Sequence, residues 1–129
     1  MDSISNLLTQ IKNAASTKKQ TVLFPYSTYI GNILALLEKE KFIAAVATRG
    51  KKLNKQFEIT LRYAEDGAPA ITGVRRLSKP SRRLYRSAGE LRPVRSGYGK
   101  LFLSTPKGIR TDVLARRERV GGEALFEIW

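Results

Sequence analysis

The residues best able to engage a polyanion crowd into one stretch of this chain. Between Arg75 and Arg110 lie eleven basic side chains, with Glu90 as the sole acid, a net +10 out of +13 for all 129 residues. Eight of the eleven are arginine. A guanidinium fork binds phosphate oxygens in pairs and lies flat on rings, which an ammonium does not. Tyr85 and Tyr98 fall in the same stretch, and aromatic faces stack on unpaired bases. The alternative is a solvated face with tyrosines in the core, but that leaves concentrated like charge without a counter-charge.

Next comes Ser104-Thr105-Pro106-Lys107-Gly108. Short hydroxyls both donate and accept, so they read base edges and 2′-OH groups without bulk. Lys107 beside them suits a phosphate, and Gly108 lets backbone approach closely. The plain alternative is a turn after a strand.

Other chemistries are excluded by what is missing. The chain has no His and no Cys, so imidazole acid–base catalysis, thiol chemistry, disulfides and zinc knuckles are not expected. Gly97-Tyr98-Gly99-Lys100 lacks the spacing of a dinucleotide or Walker loop. Ser104 has no histidine base, and pairing it with Lys107 makes a dyad only on paper. The expectation is a protein that is not an enzyme, with no cofactor, no metal and no small-molecule substrate. A DNA-binding regulator would want a recognition helix, a zinc module or a heptad dimer, and none is legible. A membrane partner would want a basic amphipathic helix or about 18 consecutive apolar residues, and neither occurs. The N-terminus does not read as a signal peptide, so a cytoplasmic protein is expected.

These residues need a scaffold. Ile4, Leu7, Leu8, Ile11 and Ala15 recur at helical spacing, with Asp2 or Ser3 as the cap. Lys12, Asn13, Lys18 and Lys19 lie off that face or at its end. Thr21 to Phe24 reads as a strand that Pro25 ends. Ser27 caps a second helix to about Lys41. Ile43 to Thr48 and the alternating Phe57 to Tyr63 read as a hairpin about the basic tip Arg49-Gly50-Lys51-Lys52. Residues 64–69 are small, polar and turn-rich, the best boundary. Beyond it, strands are expected at Ile71 to Leu77, Lys100 to Ser104 and Glu123 to Trp129. Ser81 reads as the cap of one helical turn over 82–85, and Ser96 to Gly99 as a glycine turn. Thr111 or Asp112 caps a short helix to about Glu118, which Gly121-Gly122 ends. The expectation is an α/β (α+β) chain of two small lobes. Residues 1–63 form α-β-α-β-β with two helices on one side of the sheet. After the linker 64–69, residues 70–129 form a mostly β lobe with one short helix.

Several pieces, in this order, resemble a known family. They are Ile11-Lys12-Asn13-Ala14, Arg82-Arg83-Leu84-Tyr85, Gly97 and Gly99, Ser104-Thr105-Pro106-Lys107-Gly108-Ile109, Thr111-Asp112, Ala115-Arg116 and Gly121-Gly122-Glu123. The chain is similar over its whole length to bacterial small-subunit ribosomal protein eight, and the ordered set in the final 50 or so residues is the most specific part. The resemblance implies a structural constituent of the small ribosomal subunit. It also implies binding to the central domain of 16S rRNA at an irregular helix, early in assembly, beside neighbouring small-subunit ribosomal proteins. The family's Ser-Thr-Ser loop lies against the RNA minor groove and unstacked bases. Ser104 and Thr105 match its first two positions, whereas Pro106 stands where many members have serine, so no contact carries over to Pro106. Gly121, Gly122 and Glu123 resemble the family's RNA-facing turn, whose glutamate can accept from a base amino group. The expected RNA-binding residues are therefore Lys12, Asn13, Lys18, Arg82, Arg83, Tyr85, Ser104, Thr105, Lys107, Gly121, Gly122 and Glu123. The bare composition also fits another structured-RNA-binding or DNA-binding basic protein. Trp129 reads as a packing residue.

Overall fold

The computed structural model describes residues 3–51 and 53–129. It divides into two compact units, Ser3–Ile71 and Thr72–Trp129.

In the first unit, α1 (Ser3–Ser16) buries Ile4, Leu7, Leu8, Ile11, Ala14 and Ala15, the stripe that helical spacing demands. Ser3 is already helical and so does not cap it; Asp2, the other candidate, and Lys52 of the basic tip lie outside the described residues. β1 (Thr21–Pro25) follows, then α2 (Thr28–Lys39). The Ser27 hydroxyl accepts from the Ile30 N–H at 3.1 Å, as a cap should. α2 stops two residues short of the expected end because Lys41 takes a left-handed φ of 65° and Phe42 donates back to the Leu37 carbonyl at 2.9 Å.

β2 (Ile43–Arg49) and β3 (Gln56–Leu61) complete an antiparallel sheet in the order β1-β3-β2. The register aligns Phe24 with Phe57, and both Val22 and Val46 with Ile59. Paired side chains point to one side, and that side is the buried one. Both helices bury an apolar stripe and only one side of the sheet is covered, so both lie on that side. β3 ends at Leu61 rather than Tyr63, which instead bridges to Pro69. Residues 64–69 make a closed turn on this unit: Ala64 donates to Ala68 O and Gly67 to Ala64 O, both at 2.8 Å.

The second unit has five antiparallel strands and one α-helix. They are β4 (Val74–Arg76), β5 (Tyr85–Arg86), β6 (Lys100–Thr105), β7 (Gly108–Thr111), α3 (Asp112–Glu118) and β8 (Gly122–Ile128) in chain order, with β7 pairing β6. β8 is the hub: β4 and β5 pair with its two ends along one edge, and β6 with the other. One side of the sheet packs Leu101, Leu103 and Ala124 with Leu91, Val94 and Ala115. α3 is capped by Thr111, whose hydroxyl accepts from Leu114 N at 3.4 Å. Asp112 opens the helix, buried, and accepts from the Leu101 N–H at 3.1 Å. A carboxylate there meets the positive end of the helix dipole. Glu90 closes a capping box on the 3-10 turn Ala88–Glu90. The Ser87 backbone N–H holds its carboxyl below the ordinary value, the Ser87 hydroxyl and the Arg86 charge adding to this against slight desolvation.

Four expectations are corrected. The strand at 71–77 shrinks to Val74–Arg76, because the Thr72 and Gly73 N–H groups both turn to the Trp129 carbonyl, at 2.6 and 3.0 Å. No helical turn forms over 82–85. Lys79 and Arg82 exchange backbone hydrogen bonds of 2.9 and 3.0 Å about Pro80-Ser81, and Tyr85–Arg86 pairs with β8. A lone helical turn is a costly nucleus, and the β8 edge offers ladder partners instead. Gly121-Gly122 does not end α3; Arg119 does, in the left-handed region at φ 57°. Finally, residues 108–111, expected to carry no element, form β7. Among the described residues no helix is long and apolar enough to cross a membrane, and no cluster of acidic side chains could hold a metal ion.

Candidate nucleic-acid interface

The β-sheet register builds the site. Tyr85 pairs with Glu123, Glu123 with Ser104, and Ser104 with Ile109. Directly paired residues share a side, and strands lie about 4.8 Å apart. Tyr85, Glu123 and Ser104 therefore stand in one row about 10 Å long across β5, β8 and β6. Tyr85 is 64% exposed. Lys107 is exposed at the tip of the β6–β7 hairpin, and Arg82 is exposed in the Lys79–Arg82 turn. The row thus offers a ring face, a guanidinium–carboxylate pair and a hydroxyl, with cations at its margins. Such a set can stack on a base, bind phosphate and exchange hydrogen bonds with ribose.

Glu123 is held from two sides. Arg83 Nη1 donates to its Oε1 and Oε2 at 3.2 and 3.1 Å. Ser78, fully buried, donates its hydroxyl to Oε2 and accepts from the Leu84 N–H at 3.2 Å. In this structure the carboxylate positions Arg83 and the backbone ahead of Tyr85; it is not an unpaired acceptor awaiting a base. Ser78 is the positioning residue that sequence reasoning missed. A serine before Lys-Pro carries no signal for a partner 45 residues away.

The two hydroxyls of the loop have different tasks. Thr105 is buried; its Oγ1 donates to Gly108 O at 2.7 Å and accepts from Lys107 N at 3.1 Å. It ties the hairpin that carries Lys107. Ser104 is half-buried, and its hydroxyl has no partner among the described residues, which leaves it the one available to a ligand. Thr105→Ala is therefore expected to lower the melting temperature, at a cost of about 1–3 kcal/mol for the groups left unpaired. Thr105→Ser, which keeps the hydroxyl, should stay close to the parent. A Thr105→Ala protein melting with the parent would show the tie to be idle.

Gly121 and Gly122 act as close-approach positions. A Cβ on Gly121 would sit 2.3 Å from Arg86 O, and one on Gly122 would sit 2.0 Å from Ser104 O. They let β8 press against β5 and β6 where the row is built.

Lys12, Asn13 and Lys18 belong to the first unit. Lys12 and Asn13 are exposed near the end of α1, off its buried stripe. Lys18 is exposed with a left-handed φ of 61°, and its Nζ donates to the Gly67 carbonyl. An ammonium has three N–H donors, so it keeps some to spare. The structure thus gathers the remaining expected residues around one end of the second unit's sheet, and sets these three in the other unit.

In sequence, the chain is similar to known proteins along nearly its whole length. The small ribosomal subunit protein uS8 of Chloroflexus aurantiacus is 45% identical over 130 residues, covering 99% of this chain and 97% of its own. Those of Mycoplasmopsis agalactiae and Rubrobacter xylanophilus are 43% and 42% identical over 128 residues, with the same two coverages. A family model described as ribosomal protein S8 matches residues 2–129, and the chain therefore belongs to the ribosomal protein S8 family.

Proposed function

We propose that this chain is a structural, non-enzymatic protein of the small ribosomal subunit that binds the central domain of 16S rRNA and helps the subunit assemble. The observation that carries the reading is the row Tyr85–Glu123–Ser104, flanked by Arg82, Arg83 and Lys107, on a sheet whose stretch of chain holds most of the net charge. In this reading the C-terminal lobe, residues 70–129, is the principal rRNA-binding part. The N-terminal lobe, residues 1–63, adds Lys12, Asn13 and Lys18 at a second contact, and neighbouring small-subunit ribosomal proteins are the other partners. Irregular RNA suits this surface better than a DNA major groove. Its reading groups sit on strands and loops, and α3 has only seven residues.

Footprinting on naked 16S rRNA tests the reading. Protection of one site in the central domain supports it; uniform protection, or none, overturns it. Two kinds of variant then separate holding from reading. Arg82→Ala and Lys107→Ala should weaken cognate and unrelated RNA alike, because phosphate contacts carry no sequence information directly. Ser104→Ala should weaken cognate RNA by about 1–3 kcal/mol, roughly five- to 150-fold, and leave scrambled RNA nearly unchanged. If Lys107→Ala costs only cognate affinity, Lys107 is not a phosphate ligand. If Ser104→Ala costs none, Ser104 reads nothing.

A further inference from the structure

One exposed aromatic side chain is left unexplained by folding and by the row. Tyr98 is 87% exposed, and its ring has no partner among the described residues. It stands on a loop whose backbone is strained. Arg95, Ser96 and Gly97 take φ of 47°, 57° and 97° in succession. Two consecutive non-glycine residues in the left-handed region are costly and persist only where their surroundings over-determine them.

The surroundings do so here. The Val94 carbonyl accepts from both Gly97 N and Gly99 N, at 2.9 and 3.1 Å. Gly99 packs so tightly that a Cβ there would lie 2.9 Å from Ile128 O and 3.1 Å from the Trp129 Cβ. The Arg95 guanidinium lies 3.7 Å from the centre of the Trp129 ring. The stem is fixed by packing while the tip buries nothing, so the geometry serves presentation of the phenol ring. A pre-formed loop loses little freedom when it binds.

The charge around it selects the partner. Arg92, Arg95 and Lys100 flank the loop, and Glu90 is the nearest acid in sequence. Arg95, held over the indole, still offers guanidinium N–H groups to a ligand. A lone flat ring among cations matches an unpaired base and its phosphates. The loop also lies at the opposite end of β6 from the Lys107 hairpin. Lys100 to Thr105 spans roughly 17 Å at about 3.3 Å per residue, too far for the two tips to touch the same nucleotide.

We infer that the Arg95–Gly99 loop is a second RNA contact on this unit, in which Tyr98 stacks on an unpaired base and Arg95 and Lys100 hold adjacent phosphates. This rests on the proposed binding to the central domain of 16S rRNA.

The test is footprinting and titration of that RNA with the full-length protein and its Tyr98→Ala and Tyr98→Phe variants. A residue this exposed can be truncated without unfolding the chain, and a melting curve verifies that. Tyr98→Ala should lose about five- to 150-fold in affinity, as removal of one stacking partner does. It should also lose protection at nucleotides distinct from those that Ser104→Ala affects. Tyr98→Phe should bind within about two-fold of the parent, since the ring stacks and the hydroxyl does not. If the parent fails to protect the central domain, the proposed function falls. If the parent binds and Tyr98→Ala binds equally well, only the present inference falls. Unchanged affinity for naked RNA with weakened retention in assembled subunits would assign the loop to a protein neighbour and overturn the RNA contact.

Discussion

Gly122→Ala is expected to unfold the second unit's sheet at temperatures where the parent is intact, and to abolish specific RNA binding with it. The added carbon would lie 2.0 Å from Ser104 O, 2.8 Å from Ser104 C and 3.0 Å from Thr105 Cα. All three are backbone atoms, so no rotamer change relieves the overlap. Overpacking against mobile side chains costs typically about 1–3 kcal/mol; against backbone in a hydrogen-bonded ladder the cost should reach or exceed the top of that range. At roughly 4–8 °C per kcal/mol for a domain of 60–100 residues, the melting point should fall by more than about 12 °C. Gly121→Ala should behave alike, because its Cβ would meet Arg86 O at 2.3 Å. Gly89→Ala is the control, since a Cβ there meets nothing within 4 Å. A Gly122→Ala protein that melts with the parent would falsify the close-approach reading of the glycine pair.

The second large effect is ionic. Arg83 and Arg110 are answered by Glu123 and Glu118, at 3.1 and 2.9 Å. Arg75, Lys79, Arg82, Arg95, Lys100 and Lys107 have no carboxylate partner among the described residues. Each cation that meets a phosphate releases condensed counterions. With six such contacts, affinity for a central-domain fragment should fall about a thousandfold between roughly 50 and 200 mM salt. Removing Lys107 should reduce the slope of log affinity against log salt by about one, whereas removing the Ser104 hydroxyl should shift the line without tilting it. Affinity that is flat with salt would dismiss the charge argument.

How far the sequence exposed all this depended on the distance over which each signal acts. The first unit was legible because its patterns are local: Ile4, Leu7, Leu8 and Ile11 repeat at helical spacing, and Phe57, Ile59 and Leu61 alternate. The second unit misled wherever a local rule competed with β8. Ser81 before Arg-Arg-Leu-Tyr satisfies the capping rule, yet Tyr85–Arg86 is claimed by Gly122–Glu123. Gly121-Gly122 after α3 looks like a helix stop, yet a left-handed Arg119 had already ended the helix. At the site, residue types told more than residue tasks. Ser104 and Thr105 were both visible as hydroxyls, but only geometry turns Thr105 inward onto Gly108 and leaves Ser104 outward. Glu123 was visible as an acid in a glycine turn; its ties to Arg83 and Ser78 span 40 and 45 residues, beyond the reach of any local pattern.

The central place of β8 also sets an order of events during synthesis. β4, β5 and β6 all precede β8 in the chain, and each finds its ladder partner in it. The first unit's sheet, by contrast, pairs strands that are all made before residue 62. It can close while the rest is still being translated, as units nearer the N-terminus generally do. The second unit must wait, its arginines and tyrosines in a chain that has not yet assembled Tyr85, Glu123 and Ser104 into a row. On the proposed function, a nascent chain stalled before Gly122 carries most of the net charge but lacks the row that would read RNA. Under the proposed function, discrimination among RNAs then arrives in a single late step, when β8 enters the sheet.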